Sequence, residues 1–234
     1  MAQRVRVQSF TVSQDGYATG EGQSLEHPFG HIEAADLMAW RFGTASWPGN
    51  AGADGSRGID NHFERDFAVG IGAEIMGRNK FGPLRGPWAD HEWQGWWGDT
   101  PPFHTPVFVL THHERPSITL ADTTFHFIDT SPAEAVARAK AAAGGLDVRI
   151  GGGPSTLRSF IDAGLVDDLH IVVAPITAGR GVRLWESPHD FDDDFHHETI
   201  ASPRQRHPPP PLAQIPSHQR SALMRCWAAQ HAQG

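Results

Sequence analysis

The sequence predicts an α/β domain built on a largely parallel sheet. Short apolar runs bounded by turn residues recur along the chain, and in its second half they alternate with helical segments. Most of these runs are continuously apolar, as expected for strands covered on both faces. The 234 residues suffice for one large domain, and no internal repeat breaks them up.

Val5 to Val12 alternates at period two and reads as a strand ending at the turn signal Ser13-Gln14-Asp15-Gly16. Residues 22–58 are irregular and glycine-rich, apart from a helical patch over Ile32 to Phe42. Asp60-Asn61 can cap a helix with Phe63, Phe67 and Ile71 on one face. Ala73-Glu74-Ile75-Met76 reads as a short buried strand stopped by Gly77, and Val107 to Thr111 and Thr124 to Ile128 read as two more. Ser131 is a natural N-cap for a helix through Ala143, with Pro132 at its first position and Gly144-Gly145 at its end. Val148-Arg149-Ile150 is a strand, Ser155 to Ala163 a helix and Leu169 to Ile176 a strongly apolar strand. Between these elements, residues 82–106 hold four of the eight tryptophans, Trp88, Trp93, Trp96 and Trp97, among glycines and prolines. Such a stretch is an ordered loop packed on itself, on a neighbour or on a ligand.

Composition excludes several function classes. The mean hydropathy of −0.39 and the lack of a long apolar run exclude a spanning helix. The N-terminus has no apolar signal-like stretch, and the one cysteine, Cys226, has no partner for an internal disulfide, so the expected location is the cytoplasm. Residues 201–234 carry four arginines and no acid, which leaves 15 cationic side chains against 27 acidic ones in the body. That acidic body argues against a nucleic-acid partner. The adjacent pairs His112-His113 and His196-His197 diverge on any regular element, and without HExxH or CxxC spacing no metal site is expected. No GxSxG elbow supports a serine hydrolase.

The chemistry centres on Gly151-Gly152-Gly153, between a strand and a helix. A helix N-terminus offers unpaired N–H groups and a positive dipole end, and glycines let a phosphate approach that backbone. Ser155 and Thr156 add hydroxyls on the first turn. The competing explanation is a βα turn that merely needs positive φ. Neither the Gly-Lys-Ser/Thr of a P-loop nor the GxGxxG-plus-acid pattern of a Rossmann unit is present.

The sequence I-G-G-G-x-x-T, followed by a helix, then A-G-L-V-D-D-L, an apolar strand ending in P-I, and G-x-G-x-x-L-W, resembles the dihydrofolate-reductase-like family. It is most similar to the branch containing the C-terminal reductase domain of the bacterial bifunctional riboflavin-biosynthesis deaminase-reductase. S-F-T-V-S-Q-D-G, A-E-I-M-G-R and P-V-F-V-L-T resemble further family segments in the right order, so the likeness spans about residues 5–190. It implies a three-layer α/β/α fold with a mostly parallel central sheet, a homodimer, and an NADPH-dependent reductase. The substrate would be a small molecule, a flat heterocycle or a ribosylaminopyrimidine; the alternative is a nucleotide-binding protein of the same fold without turnover.

Carried onto this chain, the resemblance implies that Gly77 and Arg78 hold phosphates of the dinucleotide. Lys80 stands where the family often has Thr, and it implies a charge in place of a hydroxyl. Leu110, Thr111 and His112 match the strand end near the adenosine ribose phosphate; Gly151, Gly152, Gly153, Ser155 and Thr156 match the pyrophosphate and nicotinamide-ribose turn. Asp15 borders the nicotinamide or substrate and is the candidate catalytic residue, with Asp60 or a bound water as other sources of the proton.

The reductase domain is expected over residues 1–200. From Arg204 the chain departs from the family's closing strand: the four prolines 208–211 cannot donate ladder hydrogen bonds. The basic, proline-rich tail 201–234 reads as a disordered extension, either natural or the product of a shifted reading frame, and the sheet is expected to lack its last strand.

Overall fold

The computed structural model describes residues 2–47, 50, 55–89 and 92–202. Seven strands form the central sheet: β1 (Val5–Ser13), β3 (Ile71–Gly77), β4 (Pro106–Leu110), β5 (Ile118–Leu120), β6 (Thr123–Ile128), β7 (Asp147–Ile150) and β8 (Asp168–Ala174). Their spatial order is β5-β6-β4-β3-β7-β1-β8. All neighbours are parallel except β5 and β6, a short antiparallel ribbon at one edge. Two short strands, β2 (Tyr17–Thr19) and β9 (Val182–Arg183), pair antiparallel outside this sheet.

Helices cover both faces. On the first face lie α5 (Pro132–Ala142) and α6 (Pro154–Asp162). Ala135, Val136 and Ala139 of α5, with Leu157, Phe160 and Ile161 of α6, pack on Val5, Val7, Ala73, Ile75, Val148 and Ile150. The second face carries α1 (Ala34–Leu37), α2 (Ala39–Phe42), α3 (Ile59–Arg65), α4 (Arg78–Phe81) and the tryptophan-rich loop. There Met76, Val107, Val109, Phe125 and Phe127 meet Phe81, Trp97 and Phe103. The alternation within β3 and β4 (Ile75 against Met76, Phe108 against Val109) distributes apolar side chains to both layers, so these strands read as unbroken apolar runs. The architecture is the expected three-layer α/β/α arrangement with a mostly parallel sheet.

Ser131 caps α5 as expected: its Oγ accepts a hydrogen bond from Glu134 N at 3.3 Å. Other boundaries shift. The patch over Ile32 to Phe42 is two four-residue helices interrupted at Met38, whose φ of −102° and ψ of 13° do not continue a helix. The helix expected from Asp60 starts at Ile59 and stops at Arg65, and Ile71 opens β3 instead of extending it. Among the described residues β8 pairs only with β1, which makes it the sheet edge. The proline-rich segment from Arg204 onward lies outside the described residues.

Candidate functional site

The parallel strands all end at one edge of the sheet, and the segments singled out in the sequence meet there. Gly77 is in register with Leu110, and Leu110 with Ile128, while Ile75 faces Ile150. After β3 the chain leaves over the second face toward β4. After β7 it leaves over the first face, through α6, toward β8. The boundary between β3 and β7 is therefore a topological switch point, where open α/β sheets form a crevice at their carboxyl ends. Gly77 and the three-glycine turn flank it. Gly77 N donates to Gly152 O at 2.7 Å and Gly151 N to Ile75 O at 2.8 Å, so the two turns are laced together.

Each glycine is small for its own reason. A Cβ on Gly77 would lie 2.1 Å from Thr156 Oγ1, so Gly77 and Thr156 are pressed together. A Cβ on Gly151 would lie 2.1 Å from Glu74 Oε1 and 2.3 Å from Lys80 Nζ. Gly152 has φ of +112°, a conformation that disfavours any side chain. Gly153 has φ of −78°, and a Cβ there would meet nothing within 4 Å. Open space in front of the residue that caps α6 is a cradle. No side chain caps that N-terminus, so its first N–H groups stay available for an anion. Ser155 is exposed and Thr156 half-buried on the same turn.

Arg78 begins α4 across the crevice. Its guanidinium lies 3.8 Å from the centre of the Trp88 ring and donates from Nη1 to Gly86 O at 2.5 Å. Nε and Nη2 are buried without a hydrogen-bond partner among the described residues. Buried donors left unpaired are costly, and a phosphate is the ligand a guanidinium fork fits best. The glycine cradle, the open helix N-terminus and these orphaned donors fit a dinucleotide's phosphates.

Thr111 is buried; its N donates to Ile128 O at 3.0 Å, and its Oγ1 accepts from His113 N at 3.1 Å. His112 points outward, its side chain 92% exposed, with Nδ1 3.0 Å from Asp129. Asp15 is at the same sheet edge, at the end of β1, but its carboxylate is occupied. It accepts from Ser13 Oγ at 2.6 Å, Ala178 N at 2.9 Å and Gly179 N at 2.7 Å. Burial raises its pKa, and these hydrogen bonds more than reverse that, to about 2. Asp15 is thus ionised at neutral pH and anchors the 178–179 loop, which does not suit a proton donor. Asp60 accepts from Ser202 Oγ at 2.7 Å.

Lys80 turns away from Arg78, and its Nζ lies 3.1 Å from Glu74 Oε1. Glu74 also binds Arg149, whose Nε donates at 3.0 Å, and the two are in register on β3 and β7. Both are nearly fully buried. Behind them the Phe67 ring lies between two guanidiniums, 3.9 Å from that of Arg149 and 4.6 Å from that of Arg41. Arg41 pairs with the buried Glu64 at 2.6 Å. The sequence reading missed this charged group. Its signal was a lone acid in A-E-I-M and a lone base in V-R-I, each inside an otherwise apolar strand. Of the packings the sequence allows for the tryptophan-rich loop, the structure shows one within the protein: Trp97 is buried, and Trp88, Trp93 and Trp96 lean on the cluster around Phe81 and Phe127. Among the described residues no cluster of three or more His, Cys, Asp or Glu could hold a metal ion. Nor is any described helix long and apolar enough to cross a membrane.

The fold and the edge-on cradle define a three-layer α/β domain with a mostly parallel sheet. The sequence model of the RibD C-terminal domain matches residues 5–200, and the chain belongs to that family. Among solved structures it is similar to a protein from Shewanella sp. PV-4 described as one of riboflavin biosynthesis, at 22% identity, with 79% of this chain and 82% of that chain covered and a TM-score of 0.45. It is also similar to a pyrimidine reductase-like protein from Corynebacterium diphtheriae, at 19% identity, with 88% of each chain covered and a TM-score of 0.38. No curated protein matches the chain.

Proposed function

We propose that the protein is an NADPH-dependent reductase of the riboflavin-biosynthesis type, acting on a flat heterocyclic or ribosylaminopyrimidine-like substrate. The observation that carries this reading is the pairing, across the β3–β7 crevice, of Arg78's unpartnered guanidinium donors with the open cradle at Gly153. Membership of the RibD C-terminal domain family supports it.

NADPH would supply the hydride. The chain's own work is to bind and position. Arg78 and the N-terminus of α6 hold phosphates from opposite sides of the crevice. The Gly151–Gly153 backbone lets the sugar-phosphate chain approach without a Cβ in the way. Leu110 and Thr111 end β4 beside Gly77, and His112 adds a solvent-facing imidazole to that strand end. Asp15 fixes the loop at Ala178 and Gly179, which bounds the same edge.

The test is steady-state oxidation of NADPH, followed by its absorbance, with a ribosylaminopyrimidine phosphate and with a pterin as candidate acceptors. Turnover with either one that depends on the protein supports the reading. One observation favours a second reading, nucleotide binding without turnover: Asp15 is ionised and fully engaged. Tight NADPH binding with no oxidation by either acceptor would support that second reading.

A further inference from the structure

The chain has 19 cationic side chains and only two of them are lysines, Lys80 and Lys140. Elsewhere it uses arginine, which keeps its charge. An ammonium can give up its proton once it is desolvated. One of the two lysines stands at the most charge-crowded place in the fold.

Five ionisable groups meet on the second face below the glycine turn: Lys80 of α4, Glu74 of β3, Arg149 of β7, Arg41 of α2 and Glu64 of α3. Among the described residues this cluster holds three basic groups and two acidic ones, which crowds positive charge together inside the protein. Its arginines cannot relieve that charge by deprotonating, and Lys80 can. Burial pushes the Lys80 ammonium below the ordinary lysine range; Glu74 opposes this, while Arg149 and Arg41 push the same way as burial. Burial pushes the Glu74 carboxyl up, and Arg149 and Lys80 more than reverse that, so Glu74 stays ionised and holds Nζ in place.

The position is as informative as the charge. Nζ occupies the volume a side chain on Gly151 would fill, directly against the turn that flanks the crevice. The Phe103 ring lies 5.9 Å away, and the Lys80 side chain keeps 22% exposure. Lys80 is therefore buried enough to be tuned, while part of its side chain stays open. Asp15, committed to three hydrogen bonds, does not compete for that role.

We propose that Lys80 is the proton donor of the reduction, positioned by Glu74; this rests on the reductase reading above. The carbon of the acceptor's C=N or C=O bond receives hydride, with its electron pair, from the reduced nicotinamide, which leaves oxidised. The π pair moves onto the heteroatom, which takes a proton from Lys80 Nζ. The neutral amine left behind regains a proton from water.

A two-lysine chain makes the test direct. Full-length protein labelled with 13C at lysine Cε gives two resonances, assigned by Lys140→Arg, and is titrated with pH in the absence and presence of NADP+. The Lys80 resonance should titrate below the ordinary lysine range. It should also shift when NADP+ binds, while the Lys140 resonance on α5 stays in place. With an acceptor that the wild type reduces, Lys80→Met and Lys80→Arg should both slow hydride transfer by about 10²–10⁴-fold. Their NADP+ affinity should stay within about threefold of wild type, because neither variant touches the phosphate contacts. A merely structural cation would be rescued by arginine. Titration of Lys80 in the ordinary range overturns the proposal, as does a resonance unmoved by NADP+ that calorimetry shows to be bound, or full activity in Lys80→Arg. Failure of NADP+ to bind at all overturns the reductase reading, and the Lys80 role with it.

Discussion

Gly77 and Gly153 flank one crevice, yet substituting them should do different things. A methyl at Gly77 collides with Thr156 and must push β3 from α6, whereas a methyl at Gly153 enters open space. Gly77→Ala should therefore lower the melting temperature by several degrees, about 1–3 kcal/mol of overpacking. Gly153→Ala should leave melting unchanged and weaken NADPH binding at least about tenfold by blocking backbone approach. Gly152 is a poorer probe, because its φ of +112° would strain any side chain. Equal NADPH affinity in Gly153→Ala, measured by calorimetry, would mean the cradle faces no ligand. Asp15 carries a prediction about pH. Its folded pKa of about 2 lies below the reference 3.8. Its contribution is thus complete above about pH 4 and is lost as pH falls through about 2. Asp15→Asn should melt about 2–4 °C lower at neutral pH, and the gap should close in acid; a gap constant from pH 7 to 2 would refute the assignment. At this scale the glycines were legible because a triplet at a strand–helix joint has few uses. The Glu74–Arg149 pair was not, since only strand register brings together two residues 75 positions apart.

Among the elements, the tryptophan-rich loop was the least legible, because nothing in its composition says which ring turns where. Its structural sense is local. Trp88 donates from Nε1 to His113 O at 2.5 Å, stacks on Arg78 and lies 4.9 Å from the Arg115 guanidinium. The loop thus ties the end of β4 to the start of α4 and orients Arg78 through a cation–π contact. Trp88→Leu should keep the fold but weaken NADPH binding by about three- to tenfold, read as the ratio of variant to wild-type dissociation constants. Equal constants would mean that Gly86 alone positions Arg78. The helices and core strands were read to within a few residues where capping and apolar runs agree, as at Ser131 and in β4. They were misread where propensity had to compete with tertiary packing, as at Met38. The strands β2, β5 and β9 went unseen because strands of two or three residues carry no period.

The whole molecule presents its candidate ligand edge at the ends of parallel strands, a feature that follows from topology and could be expected as soon as the chain read as α/β. A homodimer, if it forms as the resemblance implies, would use the outer edges. The four loop tryptophans pack within their own subunit, whereas β8 is a sheet edge with Val173 51% exposed. Light scattering at micromolar concentration should report about twice the 25.6 kDa chain mass, and the mass of one chain would refute the dimer. The expectations about the cofactor depend on where the nucleotide binds. The most direct measurement is a crystal structure of the protein soaked with NADP+. The account predicts the pyrophosphate against Gly151–Gly153 and the N-terminus of α6, with a phosphate on Arg78 Nε and Nη2. Nucleotide bound away from the β3–β7 crevice, or a crevice still empty at saturating NADP+, would contradict it.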